Sequence, residues 1–336
     1  MWNKVKWMAA ACWAVVAINS ARAEPVFQAP PDVAAARSEL AIRAPLNALA
    51  NAGRRLVAAG QRGHILYSDD GRTWVQAAVP VSSDLVALSF PTPAEGWAVG
   101  HDGVVLHTTD GGANWLRQLD RRMTGIGAFG DAAGTGPAPV GDAVLLDVWF
   151  ADLRSGFAVG AFGLILHTAD GGKNWTAWTA RADNPRGMHL YAIRPVNGEL
   201  YIAGEQGLLL KFDRTLQRFV KIELPYKGSL FGVSGANGLL LVYGLRGNAF
   251  RSTDGGANWE KADTGISAGL TGCLIRGDGS VVLSSQAGHV LLSRDRGKSF
   301  RLVSTAPAAP IFAMVALDEG NIALSGIGGI RLEAVK

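Results

Sequence analysis

Cysteine is nearly absent from this chain. Its 336 residues contain two cysteines, Cys12 and Cys273, and we expect the first to be removed with the leading segment described below. A single remaining thiol excludes an intramolecular disulfide, and therefore a disulfide-built scaffold. After that segment the chain also lacks any run approaching the roughly 20 apolar residues that a membrane helix needs. We therefore expect a protein that does not itself span a membrane.

The chain also lacks a large excess of positive or negative charge. The formal net charge is +4, but Lys4, Lys6 and Arg22 lie within the first 23 residues, which hold no acidic residue, so the remainder carries 4 − 3 = +1. The chain has no run of lysine or arginine. Nucleic-acid binding depends on concentrated positive charge. We therefore exclude DNA and RNA as partners.

The first 23 residues have the three parts of a secretory signal peptide. Two lysines precede the apolar run Trp7–Ile18, and Ala21–Ala23 follows it as a cleavage motif. Cys12 lies inside the apolar run, whereas a lipid-modified cysteine stands at its end, which favours simple cleavage after Ala23 over lipidation. Residues 24–336 are then expected to form a periplasmic protein.

Glycine, by contrast, is abundant, with 43 residues arranged in a repeat. A Gly-x-x-Gly step between short apolar strands predicts a β-hairpin with a two-residue turn, in which glycine reaches positive φ at low cost. Successive copies are 40, 60, 44, 40, 41 and 41 residues apart, which is typical of four-stranded propeller blades. The seven steps are Gly60/Gly63, Gly100/Gly103, Gly160/Gly163, Gly204/Gly207, Gly244/Gly247, Ser285/Gly288 and Gly326/Gly329.

The repeat predicts one all-β domain over residues 24–336, a seven-bladed β-propeller. The single long spacing holds a Gly-, Ala- and Pro-rich insertion at about residues 119–142, predicted to be a loop between blades. The seventh unit stops after its third strand, Ile330–Ala334, so we expect Glu39–Ile42 to supply its fourth strand. Strands from both ends of the chain in one sheet would close the ring.

A second motif, Ser/Thr-x-Asp-Gly with a later aromatic residue, follows the third strand. The carboxylate and hydroxyl can bond the amides of the turn, and the aromatic ring can pack between blades. Each carboxylate lies on a different blade, and four histidines also recur at matched positions, so we expect neither a metal site nor a cofactor. The structural residues of these turns are Asp70, Trp74, Asp110, Trp115, Asp170, Trp175, Asp254, Trp259 and Asp295; the histidines are His64, His107, His167 and His289.

This motif resembles the Asp-box, or BNR, repeat of sialidases, sortilin-type receptors and the photosystem II stability/assembly factor family. The segments Gly96–Trp115 and Gly156–Trp175 are most similar to the last family. The resemblance implies an exported seven-bladed propeller that, in phototrophs, binds newly made photosystem II reaction-centre subunits. Similar proteins also occur in bacteria without photosystem II, so the resemblance implies an assembly role and leaves the partner open.

The partner-binding surface is predicted from propeller topology. The turns between second and third strands share one face with the links between blades, and their residues differ from copy to copy, whereas the Asp-boxes repeat on the other face. This mainly basic rim with aromatic residues suits an acidic or polar surface of a membrane or envelope protein, bound by a monomer; the alternative is a solvated surface with scattered arginines. The predicted binding residues are Arg62, His101, Arg121, Arg122, Arg181, Arg186, Glu205, Tyr226, Lys227 and Arg246.

A sialidase-type glycoside hydrolase is the alternative function, because Asp-boxes recur in those enzymes and Arg43 begins an Arg-Ala-Pro sequence similar to their Arg-Ile-Pro element. Such an enzyme needs three arginines around the substrate carboxylate and a Tyr/Glu nucleophile pair. Arg43, Arg194, Arg246 and Tyr243 are the candidates, but no spacing selects them, and sialidases have six units instead of seven. We therefore favour a non-enzymatic scaffold without catalytic residues.

Overall fold

The computed structural model describes residues 28–120, 122, 143–304 and 309–335, and within them the chain forms seven antiparallel sheets. The innermost strands contact one another in order, and the first contacts the last, so the sheets form a closed ring. The prediction of an all-β, seven-bladed β-propeller is confirmed. The predicted signal peptide, residues 1–23, and the insertion, apart from residues 119, 120 and 122, lie outside the described residues. No helix among the described residues is long and apolar enough to cross a bilayer.

Strands follow chain order from the central channel outwards in every blade. In blades 1 to 4 they are β1 Leu46–Ala52, β2 Arg55–Gly60, β3 Ile65–Ser68, β4 Val75–Gln76; β5 Leu85–Ser89, β6 Gly96–Gly100, β7 Val105–Thr108, β8 Leu116–Leu119; β9 Leu145–Phe150, β10 Gly156–Gly160, β11 Ile165–Thr168, β12 Thr176–Ala177; and β13 Leu190–Val196, β14 Glu199–Gly204, β15 Leu209–Asp213, β16 Arg218–Ile222. In blades 5 to 7 they are β17 Leu230–Ala236, β18 Leu239–Gly244, β19 Ala249–Ser252, β20 Glu260–Lys261; β21 Leu270–Ile275, β22 Val281–Ser285, β23 Val290–Ser293, β24 Arg301–Ser304; and β25 Ile311–Ala316, β26 Asn321–Gly326, β27 Gly329–Ala334. Short 3-10 helices span Pro30–Asp32, Ala41–Arg43, Gln61–Gly63, His101–Gly103, Ala161–Gly163, Thr179–Arg181, Glu205–Gly207 and Leu245–Gly247.

The hydrophobic core lies between neighbouring blades. Seven clusters of buried residues follow the ring, and each takes its residues from two adjacent blades. The second strands are therefore buried on both faces, which explains why β6 is almost entirely apolar. Trp97 of β6 is fully buried and stacks on Phe150 of blade 3, with 3.6 Å between the ring centroids.

Ring closure differs from the prediction. The last blade has three strands in the described chain, and Glu39–Ile42 does not add a fourth, because Ala41–Arg43 forms a 3-10 turn. The backbone of Ile42 instead passes over Gly329, at the start of β27. The ring closes through side chains, as β1 packs against β25 and β26. The buried residues of this closing cluster are Ala41, Leu46, Leu49, Leu56, Ala58, Leu66 and Ala323.

The first glycine, present in six of the seven steps, lies at a close backbone approach. Gly60 is extended, with φ −164°, and a Cβ there would lie 2.2 Å from the backbone carbonyl oxygen just before β1. Positive φ falls instead on the second glycine and on the residue before it, 72° at Gly63 and 56° at Arg62. A two-residue turn is therefore wrong for blades 1 to 5, which make a 3-10 turn, and correct for blade 7, where Gly326 pairs with Gly329.

His167 is a half-buried titratable side chain between blades 3 and 4. Its ring lies 4.6 Å from that of Phe157 and 4.5 Å from that of Trp178. Burial lowers the pKa of His167 below its ordinary value of 6.5, and the charge of Arg181 lowers it further. The equivalent His107 of blade 2 differs, because its Nε2 lies 3.2 Å from the Glu95 carboxylate.

We expect mild acid to destabilise the ring partly through His167. The unfolded chain takes up a proton on this side chain near pH 6.5, whereas the folded chain does so only at lower pH, so its contribution to stability is lost as the pH falls through the folded-state pKa. The urea midpoint should fall between about pH 7 and about pH 5, and His167→Phe should reduce the fall. His107→Phe is the matched control; an equal reduction in both variants would contradict this account.

Candidate partner-binding site

The turns between second and third strands lie against the links to the next blade. A Cβ at Gly207 would lie 2.0 Å from the carbonyl oxygen of Tyr226, and one at Gly247 would lie 2.0 Å from that of Ile266. In blade 2 the main-chain N of Gly103 donates to a carbonyl of the following link at 2.7 Å. These turns and links therefore form one surface, which we call the turn face.

The Asp-boxes lie at the other end of the blades, against the turns between first and second strands. The main-chain N of Gly171 donates to the carbonyl of Arg154 in such a turn, at 2.8 Å. The carboxylate of Asp254 accepts hydrogen bonds from Ser252 and from the main chain and side chain of Asn258. The hydrogen bonds from Asn258 contribute most to lowering the pKa of Asp254 to about 2. Such carboxylates bond their own turns.

Two of the predicted binding cations are unpaired. Arg62 and Arg246 occupy turns of blades 1 and 5, are exposed, and have no ion-pair or side-chain hydrogen-bond partner in the described ranges. Arg43, which lies beside the blade 7 turn, is likewise exposed and without a side-chain partner among the described residues. His101 and Lys227 are also exposed on this face. The turn face therefore presents cations that are available to a partner.

Other predicted binding residues are already engaged. Arg122 pairs with Asp32 at 2.5 Å and with Asp120 at 2.9 Å, so it anchors the segment before blade 1. The guanidinium of Arg181 lies 4.4 Å over the Trp178 ring. The Tyr226 hydroxyl donates to a carbonyl of the blade 5 turn at 3.0 Å. Arg121 lies outside the described residues.

The sequence interpretation missed the mouth of the central channel. In every blade the pairing of first and second strands shifts after the first residue of the inner strand, and the residue at this bulge lines a central cavity of about 220 Å³. The first residue of β1 pairs with the last residue of β2, just before the turn, so this ring of side chains is at the turn-face end of the channel. Its members are Asn47, Val86, Leu146, Tyr191, Phe231, Thr271 and Phe312.

The candidate sialidase residues are divided between two places. Arg194 and Tyr243 both line the channel, where the Arg194 guanidinium is bound to the Asp147 carboxylate. Arg43 and Arg246 lie on the turn face, outside this cavity. No cluster of three or more His, Cys, Asp or Glu side chains suited to a metal ion occurs in the part of the chain that the structure describes.

A ring with repeated Asp-box turns on one face and varied turns on the other defines an Asp-box β-propeller with a candidate binding face. The family model described as photosynthesis system II assembly factor YCF48 matches residues 54–140 and 138–262. These segments cover more than half of the chain, and the chain belongs to this family.

Curated relatives carry the same family name. The photosystem II assembly lipoprotein Ycf48 of Synechococcus sp. (strain CC9902) is 27% identical over 158 residues, 46% of this chain and 47% of that protein. The protein of that name from Prochlorococcus marinus is 29% identical over 158 residues, 45% of each. The chain spans about half the length of the curated relatives it matches.

Solved structures of the family share the fold. A structure described as YCF48 bound to D1 peptide has a TM-score of 0.67 at 20% identity, over 88% of this chain and 94% of that one. YCF48 from Cyanidioschyzon merolae has a TM-score of 0.66 at 17% identity, over 87% and 96%. At these identities the likeness establishes the architecture alone.

Proposed function

We propose that this chain is a non-enzymatic periplasmic assembly factor, of the photosystem II assembly factor type, that binds a segment of a membrane or envelope protein on its turn face. Residues 1–23 would direct export and be cleaved after Ala23, leaving residues 24–336 as one propeller domain. The naming of both curated relatives as lipoproteins is consistent with an exported protein.

The observation that carries this proposal is the unequal pairing of charges on the turn face. The carboxylate of Asp84 accepts the main-chain N–H of Arg62, and that of Asp102 accepts the side-chain hydroxyl of Ser83. The carboxylate of Glu205 accepts a main-chain N–H of the link before blade 4. These carboxylates thus accept hydrogen bonds from groups of the turn face itself, whereas the guanidinium groups of Arg62 and Arg246 have no such partner among the described residues. Complementary charge at the rim of an interface speeds association and selects partners, which favours an acidic partner.

The comparisons support the same class of function. Both curated relatives are named for photosystem II assembly, and a solved family member is bound to a D1 peptide. We propose a partner of the same kind for this chain, namely an extended segment of a membrane protein that is exposed at the membrane surface.

Reversal of three turn-face charges should weaken partner binding. In the variant Arg62→Glu, Arg186→Glu, Arg246→Glu, capture of the membrane-protein partner from solubilised envelope should fall about tenfold or more, because like charges then face each other across the interface. The dependence of capture on salt should fall as well. Quantitative mass spectrometry of the captured proteins measures both effects.

The matched control makes the same charge change on the Asp-box face. Arg72→Glu, Lys173→Glu, Lys298→Glu alters three exposed cations of the Asp-box turns. We expect this variant to capture the partner like the wild type, and both variants to melt within a few degrees of the wild type. If only the Asp-box variant lost the partner, the assignment of the binding face would be wrong.

A further inference from the structure

Phe162 is an exposed aromatic residue in a rare backbone conformation at the blade 3 turn. Its φ is 55° and it is 69% exposed. Bulky residues seldom occupy positive φ, and such conformations cluster at ligand-binding sites. The equivalent turn positions with positive φ all carry polar residues: Arg62, Asp102, Gln206 and Arg246. The repeat therefore does not require an aromatic ring at this position.

His189 holds the Phe162 turn in place. The main-chain N of Phe162 donates to Nδ1 of His189 at 2.8 Å, and the two rings meet edge to face with 4.8 Å between centroids. Because Nδ1 accepts, Nε2 carries the proton of the neutral ring, and it has no hydrogen-bond partner among the described residues. No other blade has a histidine at this position before its inner strand.

Aromatic rings continue from His189 to the channel mouth. The His189 ring lies 6.3 Å from that of Tyr191, which lies 5.6 Å from that of Phe231. Glu205 holds His189 and Tyr191 in position, because its carboxylate accepts the main-chain N–H of His189 at 2.9 Å and the Tyr191 hydroxyl at 3.3 Å. Phe162, His189, Tyr191 and Phe231 form what we call the aromatic track, across blades 3 to 5.

Cations lie on both sides of the aromatic track. Arg186 is exposed in the link whose Gly187 lies against the carbonyl of Phe162, and its guanidinium contacts only the sulfur of Met188 among the described residues. Arg246, unpaired, lies in the turn of blade 5, the blade that supplies Phe231. An apolar stripe between two cations is complementary to an extended peptide with an apolar side chain between carboxylates.

We propose that the aromatic track binds an extended acidic peptide segment that carries an aromatic side chain. The aromatic side chain packs on Phe162 and Tyr191, its flanking carboxylates meet Arg186 and Arg246, and Nε2–H of His189 donates to a peptide carbonyl or carboxylate. The inference rests on the proposed function, because it names the chemistry of the partner segment that the turn face would bind.

The test uses a fluorescein-labelled peptide, Gly-Ser-Glu-Phe-Glu-Phe-Glu-Ser-Gly, and the anisotropy of its complex with the purified protein. We expect binding that weakens about tenfold in Phe162→Gln, and equally when alanine replaces both phenylalanines of the peptide. Glutamine suits this turn, since Gln206 has φ 53° at the equivalent position. The control is Leu153→Gln, which removes a 40% exposed apolar side chain from the Asp-box face and should leave binding unchanged.

Three outcomes overturn the aromatic track: no binding of the peptide by the wild type, equal binding by Phe162→Gln, or equal binding of the alanine peptide. The proposed function fails separately. If the triple charge reversal abolishes envelope capture while Phe162→Gln binds the peptide normally, the turn face is supported as the binding surface and the proposed peptide site on the aromatic track is contradicted. If Phe162→Gln loses the peptide while the envelope yields no partner that depends on the turn face, the peptide site on the aromatic track is supported and the proposed assembly function is contradicted.

Discussion

Replacement of Asp147 by alanine should lower the free energy of unfolding by about 2 to 3 kcal/mol, because it leaves the buried main-chain N–H of Ile193 without its acceptor and Arg194, whose side chain is 45% exposed, without its counterion. Asp147 is 2% exposed in the inner strand of blade 3. Its carboxylate binds the Arg194 guanidinium and accepts the main-chain N–H of Ile193 at 2.7 Å, both from the inner strand of blade 4. The substitution therefore breaks one ion pair and one buried hydrogen bond that join neighbouring blades.

Urea unfolding followed by tryptophan fluorescence measures this effect. The control is Asp69→Ala, because Asp69 pairs with Arg55 at 2.7 Å but its side chain is 70% exposed. An exposed pair contributes little, so we expect the urea midpoint of this variant to stay near that of the wild type. Adding Arg194→Leu to Asp147→Ala should restore part of the lost stability, since it removes the uncompensated charge. A loss no larger than that of the control would refute the role given to Asp147.

The ring itself was predictable because its repeated requirements are local. Glycine is favoured where two backbone segments approach closely and where φ is positive, and these conditions recur around the ring, as at Gly60 and Gly63. The spacing of such glycines reports the length of a blade. The third strand predicted at Ile330–Ala334 is confirmed, since β27 spans Gly329–Ala334.

Ring closure was not predictable from the same pattern. Glu39–Ile42 is a short, mostly apolar segment, and periodicity does not distinguish a strand from a 3-10 turn at this length. The choice is made by contacts far away in the chain. Ala41 is 1% exposed within a cluster that includes Ala323 of the last blade, so side-chain packing at the closure, without strand pairing, decides the local conformation.

The candidate site was likewise predictable only in part. Topology alone placed Arg62 and Arg246 on one face, but whether an arginine is free depends on residues remote in sequence. Arg122 is engaged because Asp32, ninety residues earlier, reaches it. The residues at the channel mouth were missed because each directly follows the first apolar residue of an inner strand, and the bulge at this point does not show in the strand pattern. A signal was available, since Tyr191 and Phe231 occupy a position that varies from blade to blade within an otherwise repeated strand.

Gly160→Ser should lower the free energy of unfolding by about 2 to 4 kcal/mol, for a steric reason and not a conformational one. Gly160 has φ −167°, which any residue adopts, but a Cβ there would lie 2.1 Å from the carbonyl oxygen of Val144. The control is Gly198→Ser, where φ is 83° and nothing lies within 4 Å, so that only the cost of positive φ, about 1 to 2 kcal/mol, applies.

Blade 6 indicates how the steric cost can be relieved. It has Ser285 where the other blades have the first glycine of the step, and its glycine, Gly269, stands instead at the position equivalent to Val144. The Gly269 carbonyl still accepts the main-chain N–H of Gln286 at 2.8 Å, as the Val144 carbonyl accepts that of Ala161, so we expect glycine to help by letting this backbone shift slightly while the hydrogen bond is kept. The double variant Gly160→Ser, Val144→Gly should therefore be more stable than Gly160→Ser alone, as measured by urea unfolding. If Val144→Gly only added its own destabilisation, the close approach of this carbonyl would not be what requires glycine at position 160.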